Sequence, residues 1–217
     1  MKVFDPRQGY DLYAPQYRKD HAHLDSFDWE AARAILMTEL ESRLSAQTGT
    51  LRFLDLGCGD GRTLKRLLRT REQRNWQDKL DLHGWDISDG MLRQARKALD
   101  HSVHLECRDL MDLAIRPPAT SEIFHLVTSF FVLVHIDQPI DFCRAIKGVL
   151  APGGRIIFNN IPQRDALVLE AGGQKFRIEY NHHEDEAVAA ALVESGLTLV
   201  SSQATQWSTL FLAELPV

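Results

Sequence analysis

Three glycines alternate in the stretch Leu54-Asp55-Leu56-Gly57-Cys58-Gly59-Asp60-Gly61, which follows an apolar run and precedes a helix-forming one. Glycine lets a strand-to-helix turn be tight and lets a ligand touch bare backbone. The helix N-terminus beyond such a turn favours a negative group, here a carboxylate. The plainer reading is a tight turn with no ligand. A dinucleotide fingerprint would require glycine or alanine at position 62. Arg62 stands there, so that fingerprint is broken.

Two acids follow at positions where a nucleoside could be held. Asp86, in Gly84-Trp85-Asp86-Ile87-Ser88, closes a second apolar run. Open α/β sheets bind ligands at the carboxyl ends of their strands, where an acid can accept hydrogen bonds from both ribose hydroxyls. Its competing role is to cap the next helix, a task Ser88 can perform instead. Asp109, in Cys107-Arg108-Asp109-Leu110, lies just past a third run and is placed to accept from an exocyclic adenine amine, or else to cap a turn.

Other reactive groups point less sharply. His135 lies just beyond a fourth apolar run and has a pKa suited to a general base; it serves equally to anchor the following loop. His182, His183 and Glu184 look like a metal cluster, but adjacent side chains on a helix diverge. They read better as a polar helix start with acids at the positive end of its dipole. Tyr10, Tyr13, Tyr17 and Arg18 can either cover a ligand or pack a helix on the core. As a cover, an aromatic ring would lie beside a cation and Arg18 would meet a carboxylate.

The elements that must carry these residues alternate. Apolar strands are expected at 51–56, 79–86, 102–107, 122–130 and 155–160, with helices between them. Strand, turn and helix recur every twenty to thirty residues or so, the period of a βαβ unit. Such a pattern implies an α/β fold, a mostly parallel sheet covered on both faces. A helix from Asp25 or Ser26 through about residue 47 would present Ile35, Leu36, Leu40 and Leu44 on one broad face. The helix through 140–150 is expected to stop at Pro152-Gly153-Gly154. After a helix at 183–196, the stretches 198–206 and 208–215 are so close that they form an antiparallel hairpin. The connection between residue 160 and the last helix is expected to hold no large substrate-binding insertion.

Composition bounds the rest. The 217 residues suit one domain, with 44% hydrophobic and 25% charged residues. A net charge of −5 argues against a stable nucleic-acid partner. There is no apolar run of membrane-spanning or signal-peptide length. Three cysteines without CxxC spacing fit a reducing, cytoplasmic setting and argue against a thiolate metal site.

In this order, LDLGCGDG, GWDIS, RDL, FHLVTSFFVLVHI and LAPGGRIIF resemble the class I S-adenosylmethionine-dependent methyltransferases, closest to their small-molecule and quinone-type group. The resemblance covers about residues 50 to 160. It implies a Rossmann-like, seven-stranded, mostly parallel sheet with an antiparallel C-terminal hairpin strand. The chain would be one methyltransferase domain over 1–217, with an N-terminal helical lid or cap at 1–48 and the cofactor-binding core at 49–217. S-adenosylmethionine is the implied cofactor. Its binding residues would be Asp55, Gly57, Gly59 and Gly61 at the methionine end, with Tyr17 and Arg18 above. Asp86 would take the ribose, Ile87 the adenine face, and Asp109 and Leu110 the adenine edge. Ser129 and Phe130 would border the reactive sulfur. His135 is the candidate catalytic residue.

The chain departs from the family pattern in places. Strand four has His125 where the family usually has an acid. Phe131 and Val134 stand where some relatives carry carboxylates, so no metal is expected in the mechanism. No D/N-P-P-Y motif follows strand four, which argues against methylating an adenine amine or glutamine amide. A small-molecule acceptor is expected, with no membrane partner and a monomeric or homodimeric protein. A protein that holds the cofactor without using it is the alternative.

Overall fold

The computed structural model describes residues 1–21, 29–46, 49–115, 123–162 and 167–217. The expected cap at Asp25 or Ser26 lies outside them. In chain order the first elements are β1 (Lys2–Phe4), α1 (Pro6–Asp20), α2 (Trp29–Ala46), β2 (Leu51–Leu56), α3 (Arg62–Gln73) and β3 (Leu80–Asp86). Then come α4 (Asp89–Ala98), β4 (Val103–Cys107), α5 (Leu110–Ile115), β5 (Phe124–Ser129), a 3-10 turn at Leu133–His135 and α6 (Pro139–Val149). The last are β6 (Leu150–Asn160), β7 (Leu169–Ala171), β8 (Gln174–Ile178), α7 (Asp185–Ser195), β9 (Thr198–Ala204) and β10 (Thr209–Glu214).

Seven strands form the central sheet in the order β4-β3-β2-β5-β6-β10-β9. The first five are parallel, and β10 runs antiparallel to both β6 and β9, as the sequence leads one to expect. Alternate strand residues feed two cores. Leu51 and Phe53 pack with Leu36 and Leu40 of α2, Leu64 and Leu67 of α3, and Leu92 of α4. Leu54 and Leu56 pack with Leu113 of α5, Phe142 and Ile146 of α6, and Val188 and Leu192 of α7. The chain builds β2, β3 and β4 outward on one side, then crosses to β5 and β6 on the other. The switch point therefore lies between β2 and β5, where open α/β sheets leave a crevice.

Two features differ from the sequence reading. Helix α6 stops at Val149, and Ala151-Pro152-Gly153-Gly154 opens the long strand β6 rather than a turn. A register irregularity between Phe124 and Leu126 absorbs the proline. The second difference is larger. The connection before α7 holds the hairpin β7–β8, and β1 pairs in parallel with β8 to make a second sheet, β1-β8-β7. Phe176 and Ile178 of β8 pack under Tyr13 of α1, with Phe4, Tyr10 and Tyr17 around them. This connection therefore contributes to the site despite its short length.

Helix α1 is docked on α4 through one side chain. Asp11 accepts from the Ser88 hydroxyl (2.7 Å) and the Gly90 N–H (2.7 Å), so it docks α1 on the N-terminus of α4. Among the described residues no helix is long and apolar enough to cross a membrane.

Candidate active site

The glycine turn after β2 is clamped to the end of β3 by backbone hydrogen bonds. The N–H groups of Gly57 and Cys58 both donate to the Trp85 carbonyl, at 2.7 and 3.0 Å. Gly59 N–H donates to Asp86 Oδ2 and Ser88 N–H to Asp86 Oδ1, each at 2.8 Å. Each carboxylate oxygen keeps further acceptor capacity. Burial pushes the Asp86 carboxyl up to about 6, against the lowering effect of those two donors. Capping of α4 falls to Ser88, whose hydroxyl accepts from Met91 N–H at 3.0 Å.

The glycines have separate reasons to be glycine. Gly57 has φ +74°, and a Cβ there would lie 2.1 Å from Val132 Cγ2. Gly61, expected at the methionine end, lines neither cavity of the site. A Cβ there would lie 2.8 Å from Leu99 Cδ1, so its bare backbone serves the packing of α3's start against α4 and its C-terminal turn.

Two adjoining cavities open at this switch point. One, of about 450 Å³, runs along the ends of β2, β3 and β4 and is lined by Gly57, Gly59, Asp86, Ile87, Asp109, Leu110 and Met111. Asp109 accepts from Met111 N–H (2.9 Å) and faces Arg7 of α1 (3.5 Å). The other, of about 260 Å³, lies toward β5, β6 and the small sheet and is walled by rings, among them Tyr13, Trp29, Phe131 and Tyr180. Tyr10, Tyr17, Gly57, Gly59, Phe130, Phe131 and His135 line both, so they mark the border.

His135 has defined hydrogen-bonding roles at that border. Its Nδ1 lies 2.7 Å from the Glu179 carbonyl, which can only accept, so Nδ1 carries the proton. Nε2 is then a lone pair, and the Tyr10 hydroxyl, 2.9 Å away, donates to it. Burial lowers the His135 pKa and holds the ring neutral, and it pushes the Tyr10 phenol far above its ordinary value. The histidine anchors a loop through one nitrogen and holds the Tyr10 hydroxyl with the other.

Tyr17 stacks on His21 (4.5 Å between centroids) and meets Tyr10 and Tyr13 edge-on. Three other expected residues have partners within the protein. Arg18 donates from Nε to Asp60 Oδ2 at 2.7 Å and from Nη2 to the Asp60 carbonyl at 3.1 Å. Asp60 is almost fully buried, so this pair locks α1 to the glycine turn, and Arg18 is committed to it. Ser129 turns its hydroxyl into the sheet, donating to the Leu56 carbonyl at 3.0 Å. Asp55 lines the ring-walled cavity rather than the β3–β4 side. It accepts from Thr128 Oγ1 at 2.7 Å, and burial pushes it up to about 7.

Sequence reasoning missed Arg7, Trp29, Asn159 and Tyr180 as lining residues. Asn159 accepts from Phe131 N–H at 2.7 Å and so fixes the turn after β5, where Phe131 has φ +63°. A signal for the missing sheet was present. Ala171-Gly172-Gly173-Gln174 is a two-residue hairpin turn, with φ +58° and +78° at its glycines, and Phe176 and Ile178 alternate after it. His182 and His183, weighed as ligands, go separate ways, to Glu184 (3.1 Å) and to the Ile136 carbonyl (2.9 Å).

Residues 54–156 match the family described as a methyltransferase domain. The ubiquinone biosynthesis O-methyltransferase of Xanthomonas campestris pv. campestris is 28% identical over 118 residues, covering 53% of this chain and 45% of that one. The chain thus spans about half the length of the curated relatives it matches first. Among solved structures, the DhpI–SAH complex has a TM-score of 0.66 at 19% identity, covering 96% of this chain and 94% of that one. The [4+2]-cyclase SpnF has a TM-score of 0.69 at 17% identity over the full length of both. At these identities the structural likeness is one of fold.

Proposed function

We propose that the chain is a class I S-adenosylmethionine-dependent methyltransferase and that it transfers the methyl group of S-adenosylmethionine to a small-molecule acceptor by in-line displacement. We read 1–217 as one functional unit, with 49–217 as its core and 1–48 as a cap. The observation that carries the reading is the border between the two cavities. Asp86 and Ile87 line one side, the ring-walled cavity lies on the other, and Gly57, Gly59, Phe130 and His135 stand between. Gly57 and Gly59 would face the methionine end, Asp86 the ribose, and Ile87, Asp109 and Leu110 the adenine. Displacement at a sulfonium needs alignment and a dry pocket more than a strong base. Where the acceptor must lose a proton, His135 Nε2 can take one through the Tyr10 hydroxyl that donates to it. The wall of rings supports a flat, largely apolar acceptor, and the O-methyltransferase relative supports oxygen as the methylated atom. This second cavity favours transfer over mere retention of the cofactor.

The test is calorimetry with S-adenosylhomocysteine and NAD, followed by an acceptor screen for methylated product. Micromolar-range binding of the first and none of NAD are expected. Tight NAD binding with no heat from S-adenosylhomocysteine would overturn the assignment.

The pH dependence of that binding has a definite sign. Asp86 accepts from both ribose hydroxyls at full strength when ionised and loses acceptor capacity when protonated, and burial raises its pKa to about 6. Affinity is expected to fall as pH drops below about 6, by up to about tenfold per unit. Apo stability runs the other way. A raised carboxyl favours its neutral form in the folded chain, so its contribution is present below the ordinary carboxylate pKa and is lost as pH rises through about 6. Calorimetry from pH 5 to 8 on wild type and Asp86→Asn checks this; a flat wild-type profile excludes the role.

A further inference from the structure

Ahead of Asp86 at its carboxyl end, strand β3 carries two polar residues, Asp81 and His83, where a parallel strand covered on both faces would be apolar. They are two residues apart and so share one face of the sheet. His104 of β4 is the direct cross-strand partner of His83. The rings of His83 and His104 are stacked, with centroids 4.7 Å apart. Asp81 Oδ2 lies 2.7 Å from His83 Nε2 and Asp81 Oδ1 lies 3.5 Å from His104 Nε2. One ligand atom from each of the three residues falls within 4.8 Å of the others.

We propose that Asp81, His83 and His104 form a binding site for a divalent transition ion of the zinc class, separate from the methyl-transfer site. Zinc takes imidazole nitrogen and carboxylate oxygen at about 2.0–2.2 Å in tetrahedral geometry, which sets ligand atoms about 3.3 Å apart. The Asp81–His104 distance already matches. To admit the ion, His83 Nε2 leaves Asp81 Oδ2, which stays beside Arg52, and shares the ion with Oδ1. The His104 side chain is 59% exposed, so water can reach a fourth position. Both imidazoles must be neutral to bind, and burial already lowers the His83 pKa.

The charges around the site leave one carboxylate oxygen for the ion. Arg52 Nε lies 3.7 Å from Asp81 Oδ2, and the same guanidinium donates to the Ile123 carbonyl and lies over the Phe124 ring. Arg52 is thus held by its own partners beside Oδ2, while Oδ1 faces His104. The site belongs to the amino-terminal half of β3 and β4, whereas the cavity with Asp86 lies at their carboxyl ends. Because β4 is the edge strand of the sheet, the ion would fasten that edge to β3 and would take no part in methyl transfer.

The test uses full-length protein stripped with chelator and titrated with CoCl2. One equivalent of Co(II) with four-coordinate visible absorption is expected, displaced by ZnCl2, and zinc should raise the melting temperature. His104→Ala, at an exposed position, should weaken binding by about 100-fold, since loss of even an indirect supporting group costs 10–100-fold. It should also abolish the thermal shift, while S-adenosylhomocysteine affinity and methyl transfer stay unchanged with or without EDTA. Asp81→Asn should behave the same way. Absence of binding, or binding that both variants retain, overturns the proposal. Activity lost in EDTA and restored by zinc would overturn the separation from methyl transfer.

Discussion

Replacing Asp86 by alanine is expected to weaken S-adenosylhomocysteine binding by about 2–4 kcal/mol, two hydrogen bonds to a charged acceptor at about 1.5–3 each with some loss to relaxation. That corresponds to a dissociation constant raised about 30- to 1,000-fold. The carboxylate also receives the Gly59 and Ser88 N–H groups, so the variant loosens the glycine turn as well as losing ribose contacts. Asp86→Asn separates the two effects. Its amide oxygen can still accept from one N–H, and its affinity should fall between those of wild type and alanine. A dissociation constant unchanged in a folded Asp86→Ala protein would reduce Asp86 to a turn residue.

Deleting residues 1–20 is expected to lower turnover on the order of 100-fold or more, because the removed tyrosines form walls of both cavities and misplacement of about 1 Å already costs that much. Tyr10 contributes the hydroxyl bound to His135, and Tyr17 lines the border. Stability should fall far less. The two cores of the central sheet are untouched, and the loss falls on the small sheet and its cluster around Phe176 and on the contacts of Arg7, Tyr10, Asp11 and Arg18 with the main body. In a chain of this size each 1 kcal/mol lowers the melting temperature by about 2–4 °C. Asp11→Ala is the milder version, freeing α1 at its dock while leaving Phe176 covered. Hydrogen exchange should show α1 gaining protection when cofactor binds. Full protection of α1 in the apo protein, together with a deletion variant that melts far earlier, would make this segment core packing rather than a cover.

The parts legible in the sequence are those coded by short-range pattern. The strand ending at Leu56, the glycine turn, the strand ending at Asp86 and the C-terminal hairpin each announce themselves within about ten residues. Of the β1-β8-β7 sheet only the Gly172-Gly173 turn and the alternation in β8 were legible, because the three-residue strands β1 and β7 carry almost no periodicity and β1 finds its partner at the far end of the chain. Side-chain commitments were also hidden. Arg18 was placed at the right end of the site, but buried Asp60 claims it, and burial of an acid cannot be read from its neighbours in sequence. Gly61 belongs to the same spacing as Gly57 and Gly59, yet its constraint comes from α4 packing, which only the folded geometry supplies. The Asp81, His83 and His104 cluster depends on the register of β3 against β4, which the sequence does not specify.

The pairing of β1 with β8 joins residues 2–4 to residues 176–178. On the ribosome the first strand emerges early and must wait until most of the chain has been made before its neighbour exists. The segment from β2 to β5, with the glycine turn and Asp86, closes over a much shorter span. Contacts of long sequence separation form slowly, since loop-closure entropy opposes them before any contact rewards them. The order of assembly is therefore built into the topology: a nucleoside-sized crevice forms first, and its roof closes last. In refolding, recovery of S-adenosylhomocysteine binding should precede recovery of turnover, and a newly made chain would hold its cofactor before it could shield a reaction from water.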